Sequence, residues 1–411
     1  MQLDLQAGMN EKGQRGRRRL SAGGAFAVAS CALVLVFAAA GAPIPLYNTY
    51  GLEDGLGHEA FAIAAVGYFV TAAVALLTLG RLSNHVGRRP VSLAAIACAA
   101  AGSLLLTRVH GVGLLHAGRV LQGLACGIAS SSLGAYVVDT APSRPRWLAA
   151  AITGSAPMVG VPLGALLSGA LVEYGPAPRS LVYEIIAAGL AVCALLLALS
   201  PETVRRAPGV LASLRPRLQV PAGSRRLLLA AGAAFTATWS LGGFYQAFGP
   251  LVISERLGTA NALVAAAGFS CVMVLNPLGA PMAGRWPPVA SMRIGMTLFI
   301  FAAIAIVWSL RAGAIVPFLL ATLTVGLAQG VASTAAIRAL LSRASQEERA
   351  GLLSTIYLIS YCGAALPALV AGELTSILSL TQLAEAYASL GIVSALLAMA
   401  AIQTSPSPVS D

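Results

Sequence analysis

The chain has 411 residues, of which 57% are hydrophobic and only 10% charged, with a net charge of +11. A soluble chain of this length would carry far more charge. Apolar runs of about twenty residues recur instead, each long enough as a helix to cross a bilayer core of about 30 Å. The positive balance does not indicate nucleic acid, because the arginines lie in short gaps between apolar runs and not on one soluble face.

Residues 1–21 form a basic segment containing Lys12, Arg15, Arg17, Arg18 and Arg19. The apolar run that follows ends in a signal-peptide-like "AAAGA", but it continues to about Leu46. That is long enough to span, so it is read as a first, uncleaved span. Hydropathy predicts twelve spans, near 22–46, 59–80, 91–108, 112–138, 147–171, 181–200, 226–252, 260–283, 291–310, 314–340, 350–378 and 383–403. The expected class is an all-α integral membrane protein with 12 transmembrane helices. Two six-helix halves, 22–200 and 226–403, flank a linker at 201–225 rich in Pro, Gly and Arg, and a tail follows at 404–411.

Arginine in the short gaps orients the chain. The gap after span two carries Arg81, Arg88 and Arg89, and the linker carries Arg205, Arg206, Arg215 and Arg217. The gap after span one is acidic, with Glu53, Asp54 and Glu59. Both termini are therefore expected in the cytoplasm, in a multi-pass protein of the plasma (inner) membrane. The six cysteines lie in apolar runs with no CxxC pair, so they read as apolar filler.

The halves align at an offset of about 203 residues. "GLACGIASSS" (Gly123 to Ser132) matches "GLAQGVASTA" (Gly326 to Ala335), and "GVPLGALLSGAL" from Gly160 matches "GAALPALVAGEL" from Gly363. Six spans per half make these parallel repeats, an architecture that places substrate near the membrane midplane between the halves. Gly123/Gly127, Gly160/Gly164 and Gly326/Gly330 are GxxxG pairs that allow close helix approach.

The stretch "GRLSNHVGRRPV", from Gly80 to Val91, resembles the loop G-x-L-x-D-R-x-G-R-R of the major facilitator superfamily (MFS). Gly80, Gly87, Arg88 and Arg89 match; Asn84 replaces the aspartate and His85 the first arginine. Arg119, Gln122 and Gly123 resemble the R-x-x-Q-G of span four, and Asp139 the acid that pairs with the loop arginines. In span five the G-P pair of drug/proton antiporters becomes Gly164-Ala165, with Pro162 nearby. "PLYNTY" and "SPET" are similar to stretches in twelve-span drug and small-molecule efflux members.

The resemblance implies a secondary active transporter working by alternating access, with proton-coupled export of a small amphipathic molecule or drug as the leading reading. Proton-coupled uptake of a small metabolite and a transport-inactive sensor or scaffold are the alternatives. The lipid bilayer, a small-molecule substrate and protons are the implied partners. The implied energy source is a proton gradient with no cofactor, and the implied state is a monomer. The resemblance implies that position 84 faces the cytoplasmic start of span eleven and braces the outward-facing state, so Asn84→Asp is expected to leave folding intact and to change the inward/outward balance.

The candidate cavity or coupling residues are Arg119, Gln122, Trp239, Tyr245, Gln246, Gln329, Tyr357 and Tyr361. A charge inside a span normally faces a cavity or a partner, which singles out Arg119, with snorkelling to the headgroups as its alternative. Gln122 is one turn from it. Aromatic groups with a polar tip suit an amphipathic or cationic ligand. Glu184 and Glu373, near outer span ends, are weaker coupling candidates. No phosphate-binding loop, HExxH or catalytic triad pattern is present, so neither an enzyme nor a metal site is expected.

Overall fold

The computed structural model describes residues 20–403. The amino-terminal basic cluster (Lys12 to Arg19) and the tail at 404–411 lie outside the described residues. Among the described residues, 12 helices are long and apolar enough to cross a membrane, and there are no strands. The first half comprises α1 (Ala22–Gly41), α2 (His58–Leu79), α3 (Arg88–Leu106), α4 (Val112–Thr140), α5 (Leu148–Tyr174) and α6 (Leu181–Ala198). The second comprises α7 (Arg225–Leu257), α8 (Ala262–Val274), α9 (Pro288–Ala312), α10 (Ile315–Leu341), α11 (Arg349–Leu374) and α12 (Leu380–Gln403). The linker contains one short helix, Val210–Ser213. The membrane side on which it lies is here termed the linker face, and the other the far face.

Local chemistry explains the ends. Ser21 Oγ accepts from Gly24 N (3.2 Å) to start α1, and Asn261 Oδ1 accepts from Val264 N (3.0 Å) to start α8. Pro43 and Pro45 interrupt the first span, because proline has no N–H and cannot continue the helical ladder. A 3₁₀ turn at Ile44–Leu46 follows, and helix resumes at Tyr47–Asp54 until Gly55, at φ 66°. Hydropathy ends this span near residue 46, whereas the helix runs on because Tyr47 and Tyr50 are buried. Tyr47 stacks on Phe61 at 4.6 Å and Tyr50 Oη meets Tyr183 Oη at 2.9 Å. Arg179 anchors this extension through Glu53 (2.5 Å) and Asp54. The eighth span is likewise broken: α8 stops before Asn276-Pro277, and a short helix, Gly279–Ala283, completes it.

Glycine seats recur in both halves. A Cβ on Gly127 would lie 2.5 Å from Ala72 O of α2, and one on Gly123 would strike Tyr68 O. The repeat partners do the same on the eighth span: Gly326 lies against Val272 O (2.5 Å) of α8, and Gly330 against Asn276 O in the turn after it. Gly160 and Gly164 of α5 seat on α1, against Val34 O (2.6 Å) and Ala38 O. The helix axes can come this close only without side chains, which is what drives association where lipid removes the hydrophobic contrast. Across the halves, α5 packs on α8 and α2 on α11.

Gly164→Ala and Gly330→Ala are each expected to destabilise by at least about 1–3 kcal/mol, since the added methyl meets backbone that cannot swing aside. Gly154→Ala, with nothing within 4 Å of its Cβ, is expected to be neutral. Thermal unfolding in detergent compares the three.

Candidate functional site

A cavity of about 300 Å³ lies between the halves. The first half contributes Phe37 of α1, Tyr68 and Phe69 of α2, and Met158 and Val161 of α5. The second contributes Trp239 and Gln246 of α7, Phe269 of α8, Gln329 of α10, and Tyr357 and Tyr361 of α11. No lining residue carries a formal charge. An aromatic series crosses the seam. Tyr68 and Phe69 are 5.4 Å apart between centroids, Phe69 and Tyr361 6.4 Å, and Tyr361 and Trp239 5.2 Å, edge to face.

The cavity reaches toward the linker face. Ser130, Thr153 and Gly154 line that end, and Ser130 and Gly154 are exposed. There α4 and α5 make no extensive packing against α10 and α11, and α5 only touches the Asn276–Leu278 turn. The far face is sealed by contacts between the halves. Asn48 Nδ2 donates to Pro250 O (3.2 Å), Glu173 Oε2 accepts from Ala262 N (3.2 Å), and His58 Nε2 lies 3.5 Å from Glu255 Oε1.

Trp239, Gln246, Gln329, Tyr357 and Tyr361, singled out from sequence, all line this cavity. Three others lie outside its lining. Tyr245, next to Gln246, turns into the second half, where its hydroxyl meets Thr322 Oγ1 at 2.7 Å beside Phe244 and Phe318. Arg119 is 0% exposed, so it neither lines the cavity nor snorkels to headgroups. One Nη donates to Ala40 O (2.7 Å) and to Gln122 Oε1 (2.8 Å), while Gln122 Nε2 donates to Ala39 O (2.7 Å). Pro43, four residues after Ala39, has no N–H, so the Ala39 carbonyl lacks its helical donor and Gln122 supplies one. The Arg119 guanidinium sits 4.5 Å from the centroid of Tyr68, which stands between it and the cavity. Its Nε and other Nη have no hydrogen-bond partner, and it has no ion-pair partner among the described residues. Glu184 and Glu373 are exposed at far-face helix ends.

Sequence reasoning did not single out Phe37, Tyr68, Phe69, Met158 or Phe269. Each is one apolar residue among many in its span, and only packing reveals which ones meet.

The loop from Gly80 to Arg89 is a polar hub on the linker face. Arg88 Nε pairs with Asp139 (3.1 Å), and its Nη donates to Ser83 Oγ (2.7 Å) and Asn84 Oδ1 (2.5 Å). Arg89 instead donates to Ala198 O and Ser200 O at the end of α6. Glu202 accepts from the main-chain N–H of Arg88 (2.8 Å) and Arg89 (3.1 Å), placing a carboxylate at the positive end of α3. Gly87, at φ 113°, is needed for this turn; Gly80, at φ −57°, is in ordinary helical conformation and provides no special turn. Arg81 holds the linker through Ala212 O, Ser213 O and Arg215 O. Burial and, secondarily, Arg217 pull the Arg81 guanidinium pKa below its ordinary value.

In this arrangement, with the cavity open toward the linker face, Asn84 engages Arg88 and not the start of α11. The α11 start is met by the linker, where Gln219 N donates to Gly351 O (3.3 Å) and Thr355 Oγ1 donates to Gln219 O (3.1 Å). Glu348 Oε2 accepts from Ser345 N (3.0 Å), closing that helix start locally.

In a cysteine-free background, Gly154→Cys is expected to react with a membrane-impermeant maleimide severalfold faster from the linker face than from the far face. Comparison of right-side-out and inverted vesicles checks this. Asn84→Asp is expected to stabilise by less than about 1 kcal/mol through Arg88, an effect erased by salt. If residue 84 meets α11 when the linker face closes, the substitution also changes the rate of Gly154→Cys labelling from the linker face; an unchanged rate would show that residue 84 acts only within its own loop.

The comparisons with known proteins agree with this architecture. A crystal structure of the nucleoside transporter NupG superposes with a TM-score of 0.71 at 12% identity, covering 92% of this chain and 99% of that one. This likeness concerns the fold alone. The MFS efflux transporter aclA of Aspergillus oryzae is 32% identical over 149 residues, 36% of this chain and 27% of that protein. The multidrug resistance protein MdtL of Citrobacter koseri is 28% identical over 239 residues, 57% of this chain and 59% of that protein. The chain therefore spans less than two thirds of the length of either relative. The family model of the Major Facilitator Superfamily matches residues 26–366, and the chain belongs to that superfamily.

Proposed function

We propose that this transporter exports a small organic molecule from the cytoplasm across the plasma membrane by alternating access, in exchange for protons. The observation that carries the reading is the cavity between the halves, open toward the linker face and sealed at the far face by Asn48, Glu173 and His58. Arg81, Arg88, Arg89 and the linker arginines favour a cytoplasmic linker face. The cavity then faces the cytoplasm, where an export substrate loads. Relatives named for efflux and multidrug resistance support the same direction.

Arg119 is the residue of choice for coupling. It is a buried cation whose partners are main-chain carbonyls, an amide and a ring, with two nitrogens unpaired. Such a charge is retained in a bilayer against a large desolvation cost, which favours a functional role over a structural one. It also raises the local potential, so a proton taken up near it is readily released again.

Cells with and without the protein are compared for accumulation of a broad compound panel, with and without a protonophore. The protein should lower accumulation of at least one compound, and the protonophore should restore it. Gly242 lines the cavity with nothing within 4 Å of its Cβ. Gly242→Trp should therefore fill the cavity, abolish export by about tenfold or more and leave thermal stability unchanged. Higher accumulation in expressing cells would indicate uptake, and an unchanged panel would refute transport of these compounds.

A further inference from the structure

We propose that the cavity selects an uncharged, flat aromatic molecule that donates an N–H or O–H hydrogen bond to Gln246 Oε1. This assignment rests on the reading of the cavity as the transport route and names its substrate class.

Gln246 lines the cavity, is only 4% exposed, and its Oε1 is buried with no hydrogen-bond partner. A buried acceptor without a donor is unfavourable, and most such groups in proteins are satisfied. Pro250, four residues on, has no N–H, so the Gln246 main-chain carbonyl also lacks its ordinary helical donor. The residue therefore carries an excess of acceptors beside the cavity; Oε1 is turned away from the cavity surface, and rotation of the carboxamide presents it to a ligand's N–H or O–H.

The wall argues against charge. A cationic ligand would find no carboxylate among the lining residues. An anionic ligand would be separated from Arg119 by the ring of Tyr68, and no other lining residue carries positive charge. An ion entering such a site loses its hydration without a paired charge in return. Trp239 and Tyr361, meeting edge to face at 5.2 Å, present ring surface for a planar body. A volume of about 300 Å³ is at the small end of ligand pockets and admits a ligand of two fused rings.

Four probes of one skeleton separate these chemistries: naphthol, methoxynaphthalene, naphthoate and naphthylmethylamine. Binding is measured on the full-length protein in detergent by thermal stabilisation and equilibrium dialysis, with Gly242→Trp as the control for partition into micelles. Naphthol should bind about fivefold or more tightly than methoxynaphthalene, the increment of one net hydrogen bond, and more tightly than either ion. Gln246→Leu should remove that advantage and leave methoxynaphthalene binding unchanged. Gln246→Glu, which keeps an acceptor but adds charge, should turn the preference toward the ammonium probe.

The wild-type comparison decides the matter even if a variant fails to fold. Tightest binding of naphthoate or naphthylmethylamine, survival of the naphthol advantage in Gln246→Leu, or no binding of any probe would overturn the assignment. Naphthol selectivity in a protein that transports nothing would refute the transport reading and leave this one standing. Export of charged panel compounds alone would do the reverse.

Discussion

Inside a bilayer no water can satisfy a main-chain carbonyl, and the first half is organised around that constraint. Prolines at 43 and 45 end the regular part of α1 in mid-span, so the carbonyls of Ala39 and Ala40 turn to α4. Gln122 and Arg119 supply the donors, which draws α1 and α4 together. Arg119 is held against Tyr68 and so faces the cavity only through a ring. The cost of breaking a helix in lipid is thus offset by side chains that also bring a positive charge next to the cavity.

The same need for close backbone approach shapes the rest of the bundle twice over. Gly123 and Gly127 seat α4 on α2, and Gly326 and Gly330 seat α10 on α8 and the turn that follows it. These tight pairs bind helices within each half, whereas the halves meet along α5 against α8 and α2 against α11, around the cavity, with polar links added at the far face. A boundary of that kind allows one half to rock against the other. The aromatic path from Tyr68 through Phe69 and Tyr361 to Trp239 crosses this boundary. A ligand bound there touches both halves, so it can favour one arrangement over the other only by its different contacts in each.

On the linker face, polar chemistry takes over from packing. Arg88 gathers Asp139, Ser83 and Asn84, while Glu202 receives the amides that open α3. The linker is tied to both halves, by Arg81 and His85 on one side and by Gly351 and Thr355 on the other. With α11 braced by Gln219, the neutral Asn84 is left to serve its own loop.

Much of this was legible in one dimension. Runs of about twenty apolar residues specify spanning helices because the bilayer leaves them few alternatives. The equal offset of "GLACGIASSS" and "GLAQGVASTA" foretold glycine seats at equivalent places in two halves. Tyr245 and Gln246 mark the limit: adjacent and both polar-tipped, one turns into the second half and the other lines the cavity. In a spanning helix the lipid face and the packed face are both apolar, so hydropathy carries little information about which way a residue points. Arg119 is the second case, since its charge announced a special site but not its partners. Those are carbonyls exposed by prolines about eighty residues earlier, and only the tertiary approach of α4 to the broken end of α1 brings them together.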